Sequence, residues 1–214
     1  MRVVVIGGSG FVGSKIVNEL VERGHSVKTI VRDAKKIDSD VVESVEKDVL
    51  NDPITNELTG ADVVISAFNA GWSNPNLYED FLRGSQTIQR AVEASGVKRF
   101  VVIGGAGSLL DQEGNQLVDA ADFPAQIKPG ATAARDYFND LKSNDTLDWT
   151  FFSPAIEMHP GTSGVRKGTY RLGTDHPVVD VNGRSVLSVE DVAVVIADEI
   201  EQNQHIKKRF TAAY

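Results

Sequence analysis

Residues Val3 to Val17 read VVVIGGSGFVGSKIV. A β-branched run ends in glycines, and the chain resumes with apolar residues at Phe11, Val12, Ile16, Val17, Leu20 and Val21, which is helical spacing. Gly24 follows as a C-terminal stop. The stretch is therefore a strand, a tight turn and a helix. Gly7, Gly10 and Gly13 form G-x-x-G-x-x-G, while Gly8, Gly10 and Gly13 form G-x-G-x-x-G. The spacing alone does not separate the two registers. In both, glycine stands where a side chain would block a phosphate or keep the helix off the strand. A helix starting near Gly10 turns free N–H groups and a positive dipole end toward a pyrophosphate, and Ser9 can donate from within the turn.

The same alternation continues outward. Arg2–Ile6, HSVKTIV, the more charged VVESVEKD, ADVVISAF, VKRFVVIGG and LDWTFFSP read as strands. Helices are expected at Phe11–Arg23, Leu77–Ser95 and 132–142. Strands separated by helices make βαβ units and a parallel sheet covered on both faces. About six strands fit the doubly wound dinucleotide-binding order. After Pro154 the pattern loosens into a Gly- and Pro-containing stretch with short strands. A helix then begins after Ser188, with Asp191 in the capping-box position, and RFTAAY closes the chain as a strand. The expected architecture is α/β: one Rossmann-like domain over 1–214, with a doubly wound core over about 1–155 and a small C-terminal substrate-side annex over about 156–214.

Composition narrows the function. The 214 residues carry a formal charge of −8 and no cysteine. The charge disfavours nucleic-acid backbones and anionic membranes, and the missing thiols exclude disulfides and cysteine nucleophiles. There is no signal-like opening and no apolar run near the ~18 residues of a membrane span, so a cytoplasmic location is expected. The four histidines are scattered without metal-ligand spacing, and no metal is expected. No G-x-S-x-G elbow is present. Lys207, Lys208 and Arg209 read as a helix end or a solvated strand.

Cofactor candidates gather at the strand ends. Gly7, Ser9, Gly10, Phe11, Val12 and Gly13 form the turn. At the tip of the second strand Arg32 precedes Asp33. An acid there suits a ribose 2′-hydroxyl and NAD, whereas a guanidinium suits a 2′-phosphate. Adjacent strand residues point oppositely. Arg32, and with it NADP (NADPH), is favoured over Asp33 and NAD; the other reading makes Arg32 a surface charge and Asp33 a cap. Asp48 either accepts the adenine amine, with Val49 on the ring, or is a helix-leading cap. Ala67, Phe68, Gly104 and Pro154 end later strands, where nicotinamide is expected.

By these residues the chain resembles the atypical short-chain dehydrogenase/reductases. GGSGFVG, VRD, KDV, ADVVISAF and GVKRFVVIGGAGSL stand in that superfamily's order and spacing. DWTFFSPA, GTYRLGTD and RFTAAY make it similar to the NAD(P)H-binding group of NADH-flavin reductases, relatives of the biliverdin-IXβ/flavin reductases. The resemblance covers essentially the whole chain. It implies a Rossmann core, a nicotinamide cofactor and hydride transfer to a flavin or similar acceptor, with flavin as a substrate rather than a held group.

One departure matters. The superfamily's Tyr-x-x-x-Lys pair is missing, since Tyr137 is followed by lysine only at Lys142, five residues on and off its helical face. Ser108 follows the fifth strand and either reaches the site or caps a loop. No catalytic side chain is assigned. Flavin reduction needs ring alignment, and solvent can supply the proton. Acceptor-side residues are expected in FNAGWSNPNLY, LVDAADFPAQIKPG and SPAIEMHPGTSGVRKGTY, where Trp72, Phe123, Met158 and Tyr170 either flank a flat ring or pack the loops. The expected function is NAD(P)H-dependent reduction of a flavin, quinone or similar small acceptor by a monomer or homodimer. The alternatives are a non-catalytic NAD(P)H sensor and, more weakly, a nucleotide-sugar epimerase or dehydratase.

Overall fold

In a computed structural model, which describes residues 1–37 and 40–214, the chain forms one eight-stranded sheet. The strands are β1 (Arg2–Ile6), β2 (Ser26–Val31), β3 (Glu43–Glu46), β4 (Val63–Ser66), β5 (Arg99–Ile103), β6 (Asp148–Ser153), β7 (Arg171–Gly173) and β8 (Lys208–Ala213). Their order is β3-β2-β1-β4-β5-β6-β8-β7. Every pairing is parallel except β7 with β8. The expected α/β Rossmann-like fold is present, and its order reverses between β1 and β4, where such sheets open a ligand crevice.

The helices are α1 (Phe11–Glu22), α2 (Thr55–Leu58), α3 (Leu77–Ser95), α4 (Lys128–Leu141) and α5 (Val189–Gln202). Side-chain alternation sorts the strands between two cores. Val4, Ile6, Phe100 and Phe151 face α2, α3 and α4. Val3, Val5, Phe152 and Phe210 face α1 and α5. No helix among the described residues is long and apolar enough to cross a membrane.

Two elements begin or close differently from the sequence pattern. α4 starts at Lys128, four residues ahead of its expected start, because Pro129 in the first turn needs no intrahelical donor. Ser188 caps α5 by accepting from Asp191 N, but the capping box is only half made. The Asp191 carboxylate instead accepts from Lys167 N at 2.9 Å and Gly168 N at 2.8 Å, and from the Tyr214 hydroxyl. A buried acid thus gathers the annex loop, α5 and the chain terminus.

Residues 189–213 form part of the main sandwich: α5 packs on α1 and β8 extends the sheet beyond β6. The excursion between Ala155 and Ser188 is the part of the annex outside that sandwich. Much of it runs back along the α1–α5 face. Arg166 clamps Glu19 of α1 through two bonds of 2.9 and 2.8 Å, Gly164 N donates to Glu190, and Tyr170 donates to Asp198.

Gly13 is the tightest point of the α1 contact. A Cβ there would lie 2.2 Å from the Gly7 carbonyl oxygen. Gly13→Ala is expected to cost about 2–3 kcal/mol by overpacking, lowering Tm by roughly 5–10 °C for a chain of this size. Circular dichroism melting checks it. The annex strap carries a pH dependence. The Arg166 guanidinium, aided by Arg23, holds the Glu19 carboxyl below its usual range against the opposing effect of burial. The strap's contribution is complete above the ordinary glutamate pKa of about 4.3 and is lost as pH falls through the lowered value. Arg166→Ala should therefore melt below wild type at pH 6, with the gap closing below about pH 4, as melting curves across that range would reveal.

Candidate cofactor and acceptor site

The glycine turn is built by close backbone approaches. Gly7 lies at φ +85°, and a Cβ on it would stand 2.6 Å from the Ala67 carbonyl oxygen. Gly10 N donates to Gly7 O at 3.0 Å. Gly7, Gly10 and Gly13 therefore form the working turn. Gly8 is required for a separate reason, since a Cβ there would fall 2.0 Å from Thr29 Oγ1. Exposed Gly10 caps α1 without any side-chain bond, and no acid stands in the first turn. The leading N–H groups, those of Phe11, Val12 and Gly13, so face the crevice without a capping side chain. A bare, uncapped helix start above a floor that tolerates no Cβ fits a dinucleotide pyrophosphate. Ser9 is half-buried within the turn, and Phe11 is exposed beside it.

At the tip of β2, Asp33 turns inward on its own chain. Its carboxylate accepts from Lys35 N at 3.1 Å and caps the short turn Ala34–Lys36. Arg32 is exposed and forms no bond with the described residues, and Lys35 and Lys36 follow it at the surface. At the end of β3, Asp48 closes a turn: Oδ1 accepts from Leu50 N at 3.0 Å and Oδ2 from Asn51 Nδ2 at 2.8 Å. Val49 is buried in the core facing α3.

Ala67 and Phe68 follow β4 beside the glycine turn. Ala67 N donates to Ile6 O, and Phe68 stacks on Phe81 with ring centroids 6.0 Å apart. Phe68 also lies over Gly84, where a Cβ would come 2.4 Å from the ring. Gly104 after β5 makes room for the Phe151 ring, which a Cβ would meet at 2.1 Å. Pro154 is buried at the end of β6.

Neither hydroxyl considered for proton transfer opens on the crevice. Tyr137 is 1% exposed, and its hydroxyl donates to Gln89 at 3.1 Å between α4 and α3. Burial pushes that hydroxyl far above the usual tyrosine range, with Glu93 and Asp140 adding to the effect. Lys142 lies over the Phe138 ring. Ser108 is fully buried, and its Oγ pairs with Ser153 Oγ at 2.9 Å. Of the four rings or chains proposed to flank an acceptor, Met158 and Tyr170 pack against the α1–α5 core. Trp72 stays exposed, resting across Gly130 at the start of α4, and Phe123 stays half-buried. Among the described residues no group of His, Asp and Glu is placed to hold a metal.

The basic run at the C-terminus divides. Lys208 is solvated, but Arg209 is 8% exposed. Its side chain reaches Ser108 O and Asp175 Oδ1 and lies over the Phe138 ring at 5.0 Å. Its first place in an apolar strand, with Thr211 and Ala213 on the same face, was the one sequence signal for this.

Comparison with known proteins shows the family. Residues 7–203 match the family described as NAD(P)H-binding. A Bacillus subtilis protein, the uncharacterized YwnB, is 35% identical over 99% of this chain and 97% of its own length. A Bacteroides thetaiotaomicron structure described as a "putative epimerase" superposes with TM-score 0.91 and 41% identity, covering 100% of this chain and 96% of its own. A Streptococcus pneumoniae structure described as a "putative NADH-flavin reductase" superposes with TM-score 0.88 and 34% identity, covering 100% and 99%. With a bare glycine cradle at its crevice and a family match across nearly all its length, this chain belongs to the NAD(P)H-binding family.

Proposed function

We propose that this protein is an NADPH-preferring reductase that passes hydride to a flat conjugated acceptor, a flavin or a quinone. The observation that carries the reading is that neither candidate for a tyrosine or serine proton relay reaches the crevice. Tyr137 points away into the α3–α4 core and Ser108 faces Ser153, so neither described hydroxyl is positioned to exchange a proton with a crevice ligand. Reactions at an alcohol or sugar carbon require such a group. A flavin or quinone requires alignment with the nicotinamide, and its proton can come from water.

The bound nicotinamide would supply the hydride; the protein's own residues would hold and orient. Gly7, Gly10 and Gly13 with the α1 N–H groups take the pyrophosphate, Ser9 donating from the turn. Arg32 is the residue for a 2′-phosphate, because it is exposed and makes no bond to the described residues while Asp33 is used as a cap. Lys35 and Lys36 add positive charge beside it. Asp48 retains lone pairs for the adenine amine after closing its turn. Gly104 and Pro154 border the nicotinamide, and Trp72 and Phe123 offer apolar faces to the acceptor. The pneumococcal relative's description favours this reading. The epimerase description of the Bacteroides relative would call for a working acid and base.

The deciding experiment titrates the protein with NADPH and NADH, then adds FMN or menadione while oxidation is followed by absorbance. Turnover with NADPH supports the reading; binding without oxidation of any flavin or quinone favours a sensor. Arg32→Ala is expected to weaken NADPH binding by about tenfold or more, the loss of a charge-assisted phosphate contact, and to leave NADH within about twofold. Equal effects on both would count against Arg32. Tyr137→Phe should keep full turnover while costing about 1 kcal/mol for one buried hydrogen bond. A large fall in kcat with an unchanged melting curve would restore tyrosine chemistry.

A further inference from the structure

We propose that Arg209 is a positioning residue for hydride transfer, which brackets the loop after β5 against the annex so that the nicotinamide floor and the acceptor side hold one geometry. This rests on the reductase reading above. The bracket is direct. From β8, one guanidinium nitrogen, Nη1, donates to the Ser108 carbonyl, which ends the short helical turn Ala106–Ser108. The other, Nη2, pairs with Asp175, two residues past β7 in the annex. The two segments also meet through backbone: Leu110 N donates to Asp175 O at 2.8 Å. The Ser108 hydroxyl ties the same loop to Ser153 at the end of β6, next to Pro154. One side chain therefore joins the loop after β5 to the segment after β7, and the Ser108 hydroxyl carries the link on to the end of β6.

The energetics separate this role from a plain stabilising one. Arg209 is 8% exposed, yet its Nε has no partner among the described residues, and neither has the fully buried Thr211 Oγ1 two residues on, on the same face of β8. Its counter-ion Asp175 is 57% exposed, so the pair draws weakly on a low-dielectric interior. A buried cation with one donor unmet returns little net stability, and an apolar replacement of similar volume is often neutral. What the guanidinium does uniquely is fix two loops to one strand. A displacement near 1 Å at the reacting centre can cost about a hundredfold in rate.

The test compares wild type with Arg209→Met, Arg209→Lys and Asp175→Asn. The readouts are melting temperature, NADPH affinity, kcat and KM for FMN or menadione, and amide hydrogen exchange by peptide. Arg209→Met is expected to melt within about 5 °C of wild type, since replacement of a poorly repaid buried ion is near neutral. NADPH affinity should stay within about twofold, while kcat falls about tenfold to a hundredfold. Arg209→Lys, which can reach one partner only, should recover part of kcat. Peptides 104–110 and 171–176 should exchange faster together in Arg209→Met, and to a lesser degree in Asp175→Asn. Unchanged exchange in 104–110, or unchanged kcat per folded molecule, would overturn the proposal. If wild type reduces no acceptor, the reductase reading fails by itself and the exchange data alone decide whether Arg209 couples the two segments. If Arg209→Met does not fold, Asp175→Asn, altered at a solvent-exposed carboxylate, gives the same exchange readout.

Discussion

The architecture depends on a close approach of backbone to backbone at the end of β1. Gly7 rests against the Ala67 carbonyl and Gly13 against the Gly7 carbonyl, at separations no side chain could enter. Those two contacts let α1 descend onto the sheet beside the point where strand order reverses. They also leave the helix start exposed and uncapped. Packing and anion binding are the same geometric fact: the glycines that close the helix on the strand clear the space a phosphate would fill. Gly8 serves packing alone, because Thr29 stands behind it.

Around that turn the molecule divides its polar groups unequally. On the far side of the sheet, and along the α1–α5 face, charges are paired. Arg99 meets Glu199 at 2.6 Å, and Arg23 engages Glu19, Asp198 and Glu201. Asp191 takes three donors to hold the annex to α5. At the crevice Arg32 is exposed and makes no bond to the described residues, and Trp72 stays at the surface, where the proposed ligand would meet them. The Ser108 hydroxyl bonds to the Gly105 carbonyl and to Ser153, which suits a scaffold that orients a reaction more than one that trades protons with it.

The elements were legible where the local pattern and the tertiary demand coincide. Leu77–Ser95 was expected and is found with the same ends, because Gly96 at φ +81° gives it a clear stop. β7 was legible only as one of several short strands, since three residues carry no period and pair only because β8 presents an edge. The start of α4 was masked by Pro129, which reads as a loop residue yet is at home in a first helical turn. At the candidate site the glycines were legible because their requirement is local. Met158 and Tyr170 could be read as flanking a ring or as packing their loops, and the annex packs both, partly buried, against the α1–α5 core.

The sequence by itself determined the fold class, the strand-turn-helix at the crevice and the break in the Tyr-x-x-x-Lys spacing, all of which follow from the spacing of neighbours in the chain. Only the tertiary structure decided which backbone each glycine must clear, that Asp33 is consumed as a cap while Arg32 makes no bond to the described residues, and that Arg209 is buried between Ser108 and Asp175. The Arg209 outcome turns on groups 34 and 101 positions apart meeting in space, and the others on close backbone approach or on which way a side chain leaves its strand. Local periodicity carries no record of the first and only half a record of the second.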